Sequence, residues 1–328
     1  MKLKIGFYGF GAIGRLAARV ALDGGHEISG AIDVREDMIG KDVGELLGRE
    51  ALGVKVSNDI SSLIDSDVII HATGSYLDKV FDQLFSLIRI GAPIVSSCET
   101  LAYPYYRYPV LSVRLNDFAS RMGVPIIGTG VNPGFILDTL VAVIASSSPT
   151  VRRINVVRSL DAFKRREPFR KKVGVGEDPK VVEEMLKRGE ITGHVGYAES
   201  VLLIAQAGDL NLTRVEEGSQ LVVAEEDVEH EGMKVAKGKN LGMRGYGSGF
   251  LGSREVIRVE LHAYAGAPDF EEILVEGKDY KILWKSTGTP GDLGTASILI
   301  STAEKIIDED PGLHLMTELL PFKIRFER

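Results

Sequence analysis

The glycine-rich turn near the N terminus is the feature that most constrains the fold. It follows the strand-like run LKIGFYG and precedes the helix-like run AIGRLAARVALDGG, and its sequence fits the pattern G-x-G-x-x-G: Gly9, Phe10, Gly11, Ala12, Ile13 and Gly14. In this context the first glycine permits a tight turn, the second lets a pyrophosphate approach the backbone, and the third lets the helix pack on the strand. The free N–H groups at the start of the helix then attract phosphate. The sequence therefore predicts a nicotinamide dinucleotide site, and a ligand-free turn is the alternative.

The residues after the next strand bear on the choice of cofactor. Asp33 ends the run EISGAID, 19 residues after Gly14. A carboxylate at this place binds the adenine ribose hydroxyls, which favours NAD. Arg35 lies two residues further on and could accept a 2′-phosphate. The cofactor is therefore expected to be NAD or NADP.

The order of the predicted elements indicates an α/β protein with two domains. Near-continuous apolar runs such as SDVIIHAT alternate with helical patterns, which is typical of a parallel sheet covered on both faces. Beyond Val151, closely spaced alternating runs such as EVIRVELHAYAG predict a largely antiparallel sheet. We expect a Rossmann dinucleotide-binding domain at 1–135 and an α+β substrate and oligomerisation domain at 136–290. A C-terminal helix and tail at 291–328 is expected to return to the first domain. The glycine-rich run KGKNLGMRGYGSGFLGSRE is expected to be a mobile connection or a subunit contact.

Composition excludes several function classes. The 328 residues have a net charge of −7, so no global field attracts nucleic acid or an anionic membrane. The basic patch Phe163 to Lys172 is local and has no aromatic stacking pattern. Cys98 is the only cysteine, and the 6 histidines lack ligand spacing, so we expect no disulfide and no metal site. Without a signal peptide or a long apolar run, a cytoplasmic protein is expected. Exposed strands predict a homodimer.

Three strand ends are expected to form the ligand site, because ligands of such folds bind beyond the carboxyl ends of the strands. These ends are HATGS at 71–75, SSCE at 96–99 and GTGVNPGF at 128–135. Glu99 is expected where the nicotinamide ring lies, covered by Tyr103 and its neighbours, although an acidic turn residue would give the same pattern. The residues expected to line the cofactor at these ends are Ala72, Thr73, Gly74, Ser97 and Cys98.

Several motifs together resemble those of the 2,4-diaminopentanoate dehydrogenases and the related native amine dehydrogenases, which belong to the dihydrodipicolinate-reductase-like group. The motifs are GFGAIG, SSCETLAYP, GTGVNPGFILDTL, GHVGYAES and PGLHLMTELLP, and they span nearly the whole chain. The resemblance implies NAD(P)-dependent oxidative deamination of an amine, 2,4-diaminopentanoate or a related one, to a ketone and ammonia, with reductive amination as the reverse. It implies that Glu99 is catalytic and that Asn132 lies near the nicotinamide and the reacting carbon. The substrate pocket would further include Tyr103, Arg158, His194 and His262.

The expected chemistry assigns Glu99 a proton-transfer role. An ionised carboxylate can hold the substrate ammonium, accept its proton and then activate the water that attacks the iminium ion. The chain lacks the adjacent histidines and lysine of the true dihydrodipicolinate reductases, because RSLDAFKRREPF occupies the comparable region. This departure favours the amine branch of the group.

Alternatives remain for three residues of the expected pocket and for the function. His194 either faces the pocket or is a surface-loop histidine. Arg158 is either a solvated arginine or, if buried, a clamp for a substrate carboxylate. His262 could equally be a satisfied strand histidine. The rival functions are a reductase of another imine or carbonyl compound, and a non-catalytic NAD(P)-binding sensor.

Overall fold

The computed structural model describes residues 1–230, 232–321 and 324–327. Two compact units divide the chain: Met1–Phe135 with Pro290–Leu319, and Ile136–Thr289 with Leu320–Arg328. The strands of the first unit are β1 Lys4–Tyr8, β2 Glu27–Ile32, β3 Val56–Ser57, β4 Val68–His71, β5 Ile94–Ser96, β6 Pro125–Gly128 and β15 Gly312–His314. Those of the second are β7 Arg153–Asp161, β8 Arg214–Val223, β9 Val228–His230, β10 Met233–Val235, β11 Asn240–Leu251, β12 Arg254–Tyr264, β13 Phe270–Glu276 and β14 Lys281–Ser286.

Helices divide between the units in the same way. The first unit has α1 Ala12–Asp23, α2 Val43–Leu46, α3 Leu77–Ile88, α4 Pro104–Arg107, α5 Pro109–Met122 and α10 Gly291–Ile306. The second unit has α6 Thr139–Ala145, α7 Glu167–Lys172, α8 Pro179–Arg188 and α9 Tyr197–Gln206. Across the described part of the chain, no helix has the length and apolar character needed to cross a bilayer.

The first unit is built on a parallel sheet of seven strands in the order β15-β6-β5-β4-β1-β2-β3. The central strands are apolar on both faces, as Ile69, Ile70, Ile94 and Val95 show by being fully buried. Helices α1 and α10 pack together on one face. Helices α3 and α5 pack on the other. The prediction of a Rossmann-type parallel sheet, covered on both faces, is confirmed.

The second unit is built on a six-stranded mixed sheet in the order β14-β13-β7-β12-β11-β8. Only the β7–β12 pair is parallel among the described strand pairs of this sheet. Side chains of β12 alternate, and its buried set, which includes Val259, Leu261 and Ala263, lies on the face covered by α9. The predicted α+β unit with a largely antiparallel sheet is confirmed.

Two segments differ from expectation. The glycine-rich run near residue 240 is not a connection, because its residues form β11, a central strand paired with both β8 and β12. The end of the C-terminal tail, Leu320–Arg328, belongs to the second unit rather than the first. Its backbone is hydrogen-bonded there, since Val151 N–H donates to the Arg325 carbonyl at 2.6 Å and Ile324 N–H donates to the Ala207 carbonyl at 2.9 Å.

Candidate active site

Four parallel strands of the first unit end in one row. Tyr8 of β1 pairs with His71 of β4, His71 with Ser96 of β5, and Ser96 with Gly128 of β6. After β1 the chain forms β2 on one side of β1 and later forms β4 on the other side of β1. The sheet therefore has its topological switch point at β1. We call this row and the loops after it the ligand edge. The cofactor-binding residues predicted from sequence lie in the loops of this edge and in the first turn of α1, except Asp33 and Arg35, which follow the neighbouring strand β2.

The phosphate loop has the geometry that a pyrophosphate requires. Gly9 has a φ of 97°, a backbone conformation that glycine adopts without strain. A Cβ on Gly14 would overlap the Gly9 carbonyl oxygen, so helix α1 packs on the turn only because that position is glycine. A Cβ on Gly11 would meet no described heavy atom within 4 Å. The start of the 12-residue helix α1 is therefore open to a phosphate, and the loop fits the dinucleotide that the sequence predicts.

Asp33 connects this loop to the end of β2. Its Oδ2 accepts a hydrogen bond from the Phe10 N–H at 3.1 Å, and its Oδ1 accepts from the Arg35 N–H at 3.0 Å and from Arg35 Nε at 3.2 Å. Burial alone would raise the pKa of Asp33, but these hydrogen bonds and the Arg35 charge hold it below its usual value. Asp33 is thus an ionised acceptor whose position suits the ribose hydroxyls.

Arg35 gives a prediction about cofactor selectivity. We expect Arg35→Ser to weaken NADP binding about tenfold, because the guanidinium is the group at this site that can pair with a 2′-phosphate. NAD binding should change little, since Asp33 keeps its Phe10 contact. Fluorescence titration of both cofactors would measure the effect, with Arg19→Ser, an exposed arginine on α1, as the control. Equal losses for NAD and NADP would contradict this role.

Glu99 begins a short 3-10 helix, Glu99–Leu101, directly after β5, and is partly exposed. Neighbours hold this helix from two directions. Thr100 N–H donates to the Ser75 carbonyl at 3.1 Å, and Thr100 Oγ1 accepts from the Leu77 N–H at 2.8 Å. A Cβ on Gly128 would lie 2.5 Å from the Leu101 carbonyl carbon, so the helix approaches β6 more closely than any side chain would allow. The acidic residue is therefore at a fixed place on the ligand edge.

Ser97 and Cys98, the two residues before Glu99, differ in how far they are exposed at the ligand edge. The Cys98 side chain is buried in the apolar core beneath the edge. Burial, with the Glu99 charge adding to it, raises the pKa of the Cys98 thiol to about 12. This thiol is a core group, so any contact of Cys98 with a cofactor comes from its backbone. Ser97 is partly exposed and its N–H donates to the His71 carbonyl at 2.9 Å.

Tyr103 and Asn132 lie in two other loops of the first unit. Tyr103 immediately precedes α4, is half-buried, and packs edge-on against Tyr105 with ring centroids 5.8 Å apart. Burial, and secondarily the Glu318 charge, raises the pKa of Tyr103. Asn132 is partly exposed in the compact turn after β6, where the Asn132–Pro133 peptide is cis. The first unit thus presents Glu99 and Asn132 from adjacent strand ends.

In the second unit, the half-buried His194 and the buried Tyr197 form a polar pair. Their rings meet edge-on with centroids 4.7 Å apart. Burial lowers the pKa of His194 to about 3, and the positive charges of Lys172 and Arg158 act in the same direction. Burial likewise raises the pKa of the Tyr197 phenol. Within the described residues, neither His194 Nε2 nor the Tyr197 hydroxyl has a hydrogen-bond partner, although both are shielded from solvent. Unsatisfied buried groups of this kind are suited to hydrogen-bond a ligand.

Arg158 is buried rather than solvated. Its side chain is 2% exposed, and its Nε lies 3.3 Å from Oε1 of Glu271, which is equally buried. Its Nη2 donates to the Thr289 carbonyl at 2.8 Å, and the Thr289 N–H donates to Glu271 Oε1 at 2.8 Å. Arg158 therefore has an internal carboxylate as its partner. Its expected role as anchor for a substrate carboxylate stays a prediction.

This ion pair gives a prediction about stability. We expect Arg158→Met and Glu271→Met each to lower the free energy of unfolding by about 3–5 kcal/mol, because each leaves a buried charge without its partner. The double variant should lose less than the two single losses added together. Urea unfolding followed by circular dichroism would test this. The control is Lys285→Met, which removes the exposed Lys285–Glu272 pair on the neighbouring strands and should cost at most about 1 kcal/mol. Additive losses would mean that the two charges are not coupled.

The structure does not bring His262 together with His194. Strand residues alternate between faces, and Leu261 and Ala263 occupy the face of the sheet under α9, where Tyr197 lies against Gly245. His262 points to the opposite face, into a groove of about 390 Å³ that Arg244, Tyr246 and Glu260 also line. Its Nε2 is 3.1 Å from Glu260 Oε2. His262 thus has a carboxylate partner on its own strand, as the alternative of a satisfied strand histidine requires, and its expected place in the substrate pocket stays a prediction.

Four residues at these sites were not selected from the sequence: His71, Ser96, Tyr197 and Glu271. His71 and Ser96 are the last residues of two predicted apolar strands, and that position was a usable signal. Tyr197 lies three residues after His194, within the same motif. Glu271 had no such signal, because its partner is distant in sequence.

Comparison with known proteins identifies the family. Residues 135–324 match the family described as "2,4-diaminopentanoate dehydrogenase C-terminal domain", and residues 3–96 match "Dihydrodipicolinate reductase, N-terminus". A 2,4-diaminopentanoate dehydrogenase from Acetoanaerobium sticklandii is 28% identical over 97% of this chain and 93% of its own.

Solved structures agree on the fold. The amine dehydrogenase from Mycobacterium smegmatis superimposes with a TM-score of 0.86 at 22% identity, covering 99% of this chain and 98% of its own. The protein GenD2 from gentamicin A biosynthesis, solved in complex with NAD, has a TM-score of 0.56 at 12% identity, covering 96% and 89%. The resemblance found in the motifs is confirmed. Because the first family match spans more than half of the chain, this protein belongs to the family of the 2,4-diaminopentanoate dehydrogenase C-terminal domain.

Proposed function

We propose that this protein catalyses the NAD(P)-dependent oxidative deamination of an amine to a ketone and ammonia, and the reverse reductive amination. The proposed substrate is 2,4-diaminopentanoate or a related amine. Family membership supports the reaction class. Within this chain, the observation that most supports the proposal is the position of Glu99. This carboxylate is held at the ligand edge after β5, and only β4 lies between β5 and β1, the strand that leads into the phosphate loop.

The roles of the residues follow from their chemistry. The nicotinamide cofactor, when bound, supplies the hydride acceptor for amine oxidation and the hydride donor for the reverse reaction. Glu99 Oε atoms hold the substrate ammonium by charge and accept one of its protons, which leaves the neutral amine that can be oxidised to an iminium ion. The same carboxylate, once it has released that proton to solvent, removes a proton from the water that attacks the iminium carbon. Collapse of the resulting carbinolamine then expels ammonia and gives the ketone.

Neighbouring groups assist through position and polarity. The Asn132 side-chain amide can donate to or accept from the reacting substrate but cannot take up a proton, so it orients rather than transfers. Tyr103 is half-buried just after the 3-10 helix that begins at Glu99, and it offers an aromatic surface and one hydroxyl. The second unit presents His194 and Tyr197, which we propose as substrate-binding groups because, among the described residues, neither His194 Nε2 nor the Tyr197 hydroxyl has a hydrogen-bond partner.

Spectrophotometry of the purified protein tests the proposal directly. NAD and NADP would each be supplied with 2,4-diaminopentanoate and with simple alkyl amines, and reduction would be followed by nicotinamide absorbance. Turnover with an amine, together with stoichiometric ammonia release, is the expected result. Cofactor binding without turnover on any amine would instead favour an NAD(P)-binding sensor. Turnover only with a carbonyl or imine and reduced cofactor, without ammonia, would favour another reductase.

The proposal includes a homodimer and a cytoplasmic location. Light scattering of the purified protein, expected to give twice the 35.7 kDa chain mass, would test the first. Fractionation of cells that express the chain would test the second.

A further inference from the structure

A buried polar network lies directly behind Glu99 in the first unit. His71 and Ser96 are both fully buried, and His71 Nδ1 is 2.8 Å from Ser96 Oγ. On its other side, His71 Nε2 is 3.0 Å from Gln83 Oε1 and 2.9 Å from Thr73 Oγ1. Ser96 Oγ in turn accepts the Cys98 N–H at 3.1 Å. Cys98 is the residue that caps the 3-10 helix beginning at Glu99.

The positions of the hydrogens in this network follow from the atoms that can only accept. Gln83 Oε1 can only accept, so His71 Nε2 carries the ring proton and donates it there. Burial lowers the pKa of His71 to about 4, so the ring is neutral and its Nδ1 is an acceptor. The Ser96 hydroxyl therefore donates to His71 Nδ1. This leaves the oxygen lone pairs of Ser96 directed at the Cys98 N–H.

The ring itself is held in place from several sides. His71 stacks on Tyr8 with ring centroids 5.7 Å apart and an angle of 27° between the planes. Thr73 Oγ1 also donates to Gln83 Oε1, at 2.6 Å, which fixes the amide that receives the ring proton. The low dielectric of the interior strengthens the hydrogen bond between the fully buried His71 and Ser96, so this pair is held in one arrangement. Here that arrangement continues to the backbone just before Glu99.

We propose that His71 is a positioning residue for Glu99, acting through the Ser96 hydroxyl and the Cys98 backbone. The inference rests on the proposed function, since it takes Glu99 to be the proton-transfer group. His71 itself transfers no proton. It fixes the direction of the Ser96 hydroxyl. The Ser96 oxygen accepts the Cys98 N–H, and this hydrogen bond sets where the 3-10 helix begins. Small displacements of a reacting group have large effects on rate. Loss of the hydrogen bond between Ser96 and Cys98 should therefore lower kcat rather than weaken cofactor binding.

Steady-state kinetics of four variants test the proposal on the full chain. In Ser96→Ala and His71→Phe we expect kcat for the amine to fall by about tenfold to a hundredfold, with the KM for NAD(P) unchanged. The double variant should lose no more than Ser96→Ala alone, because His71 acts through that hydroxyl. The control is Ser112→Ala, which removes another fully buried hydroxyl of the same unit, one that donates to the Tyr108 carbonyl at 2.6 Å. Its kcat should be that of the unaltered protein.

Several outcomes separate this inference from the function on which it rests. Glu99→Gln with unaltered turnover would overturn the proposed function. Glu99→Gln inactive while Ser96→Ala keeps full kcat would overturn only the positioning role, as would losses that multiply in the double variant. If Ser96→Ala does not fold, His71→Phe supplies the same comparison. Ser96→Thr keeps the hydroxyl, so it should have the kcat of the unaltered protein if the hydrogen bond to Cys98 positions Glu99.

Discussion

Glu99→Gln should lower kcat for amine oxidation by about a hundredfold to ten-thousandfold, the contribution typical of a general acid–base group. The amide can still hydrogen-bond the substrate amine, but it cannot accept the proton that oxidation requires or activate the attacking water. The substitution preserves shape, and the 3-10 helix that begins at residue 99 is fixed by backbone and Thr100 contacts that do not involve this carboxylate. Folding and NAD(P) binding should therefore remain as in the unaltered chain.

The measurement is initial rate under saturating cofactor and amine, together with the Kd for NAD(P) from fluorescence titration. Glu50→Gln, which neutralises an exposed carboxylate of the same unit, is the matched control and should keep full activity. If both variants turn over at the original rate, Glu99 is a structural turn residue. If Glu99→Gln also loses NAD(P) binding, the carboxylate acts on the cofactor site and its catalytic assignment is wrong.

The parts of the fold that local sequence determines were predictable. The phosphate loop, the Asp33 that follows it and the apolar strands of the parallel sheet are each encoded within about thirty residues, the size of one βαβ unit. Such a unit has a defined spatial form because its helix and strands pack on each other. Local pattern therefore sufficed for the first unit's sheet and for the strand end at Glu99.

Long-range pairing explains what the sequence could not provide. Arg158 and Glu271 are neighbours only because β7 pairs with β13. Alternation places each of them on the buried side of its own strand, but it does not identify the partner on the other strand. The sequence predicts a mobile connection or a subunit contact for the glycine-rich run of β11, and glycine is uncommon in strands. In the structure, Gly245 and Gly247 leave room for the ring and backbone of Tyr197, so the composition of this strand reflects helix α9 packed on it.

The phosphate loop gives the second large prediction, through a pair of Gly→Ala variants with opposite consequences. Gly11→Ala should fold normally, because Gly11 has an unstrained φ of −71° and its new Cβ would meet no described atom within 4 Å. That methyl group would instead occupy the space needed by the pyrophosphate, and overpacking of this kind corresponds to about a tenfold to hundredfold rise in the Kd for NAD(P). Gly14→Ala should lower the free energy of unfolding by about 3 kcal/mol or more, because its Cβ overlaps the Gly9 carbonyl oxygen. Urea unfolding and cofactor titration of both proteins would separate the two effects. A Gly11→Ala protein that binds NAD(P) normally would show that the cofactor phosphates do not rest on this turn.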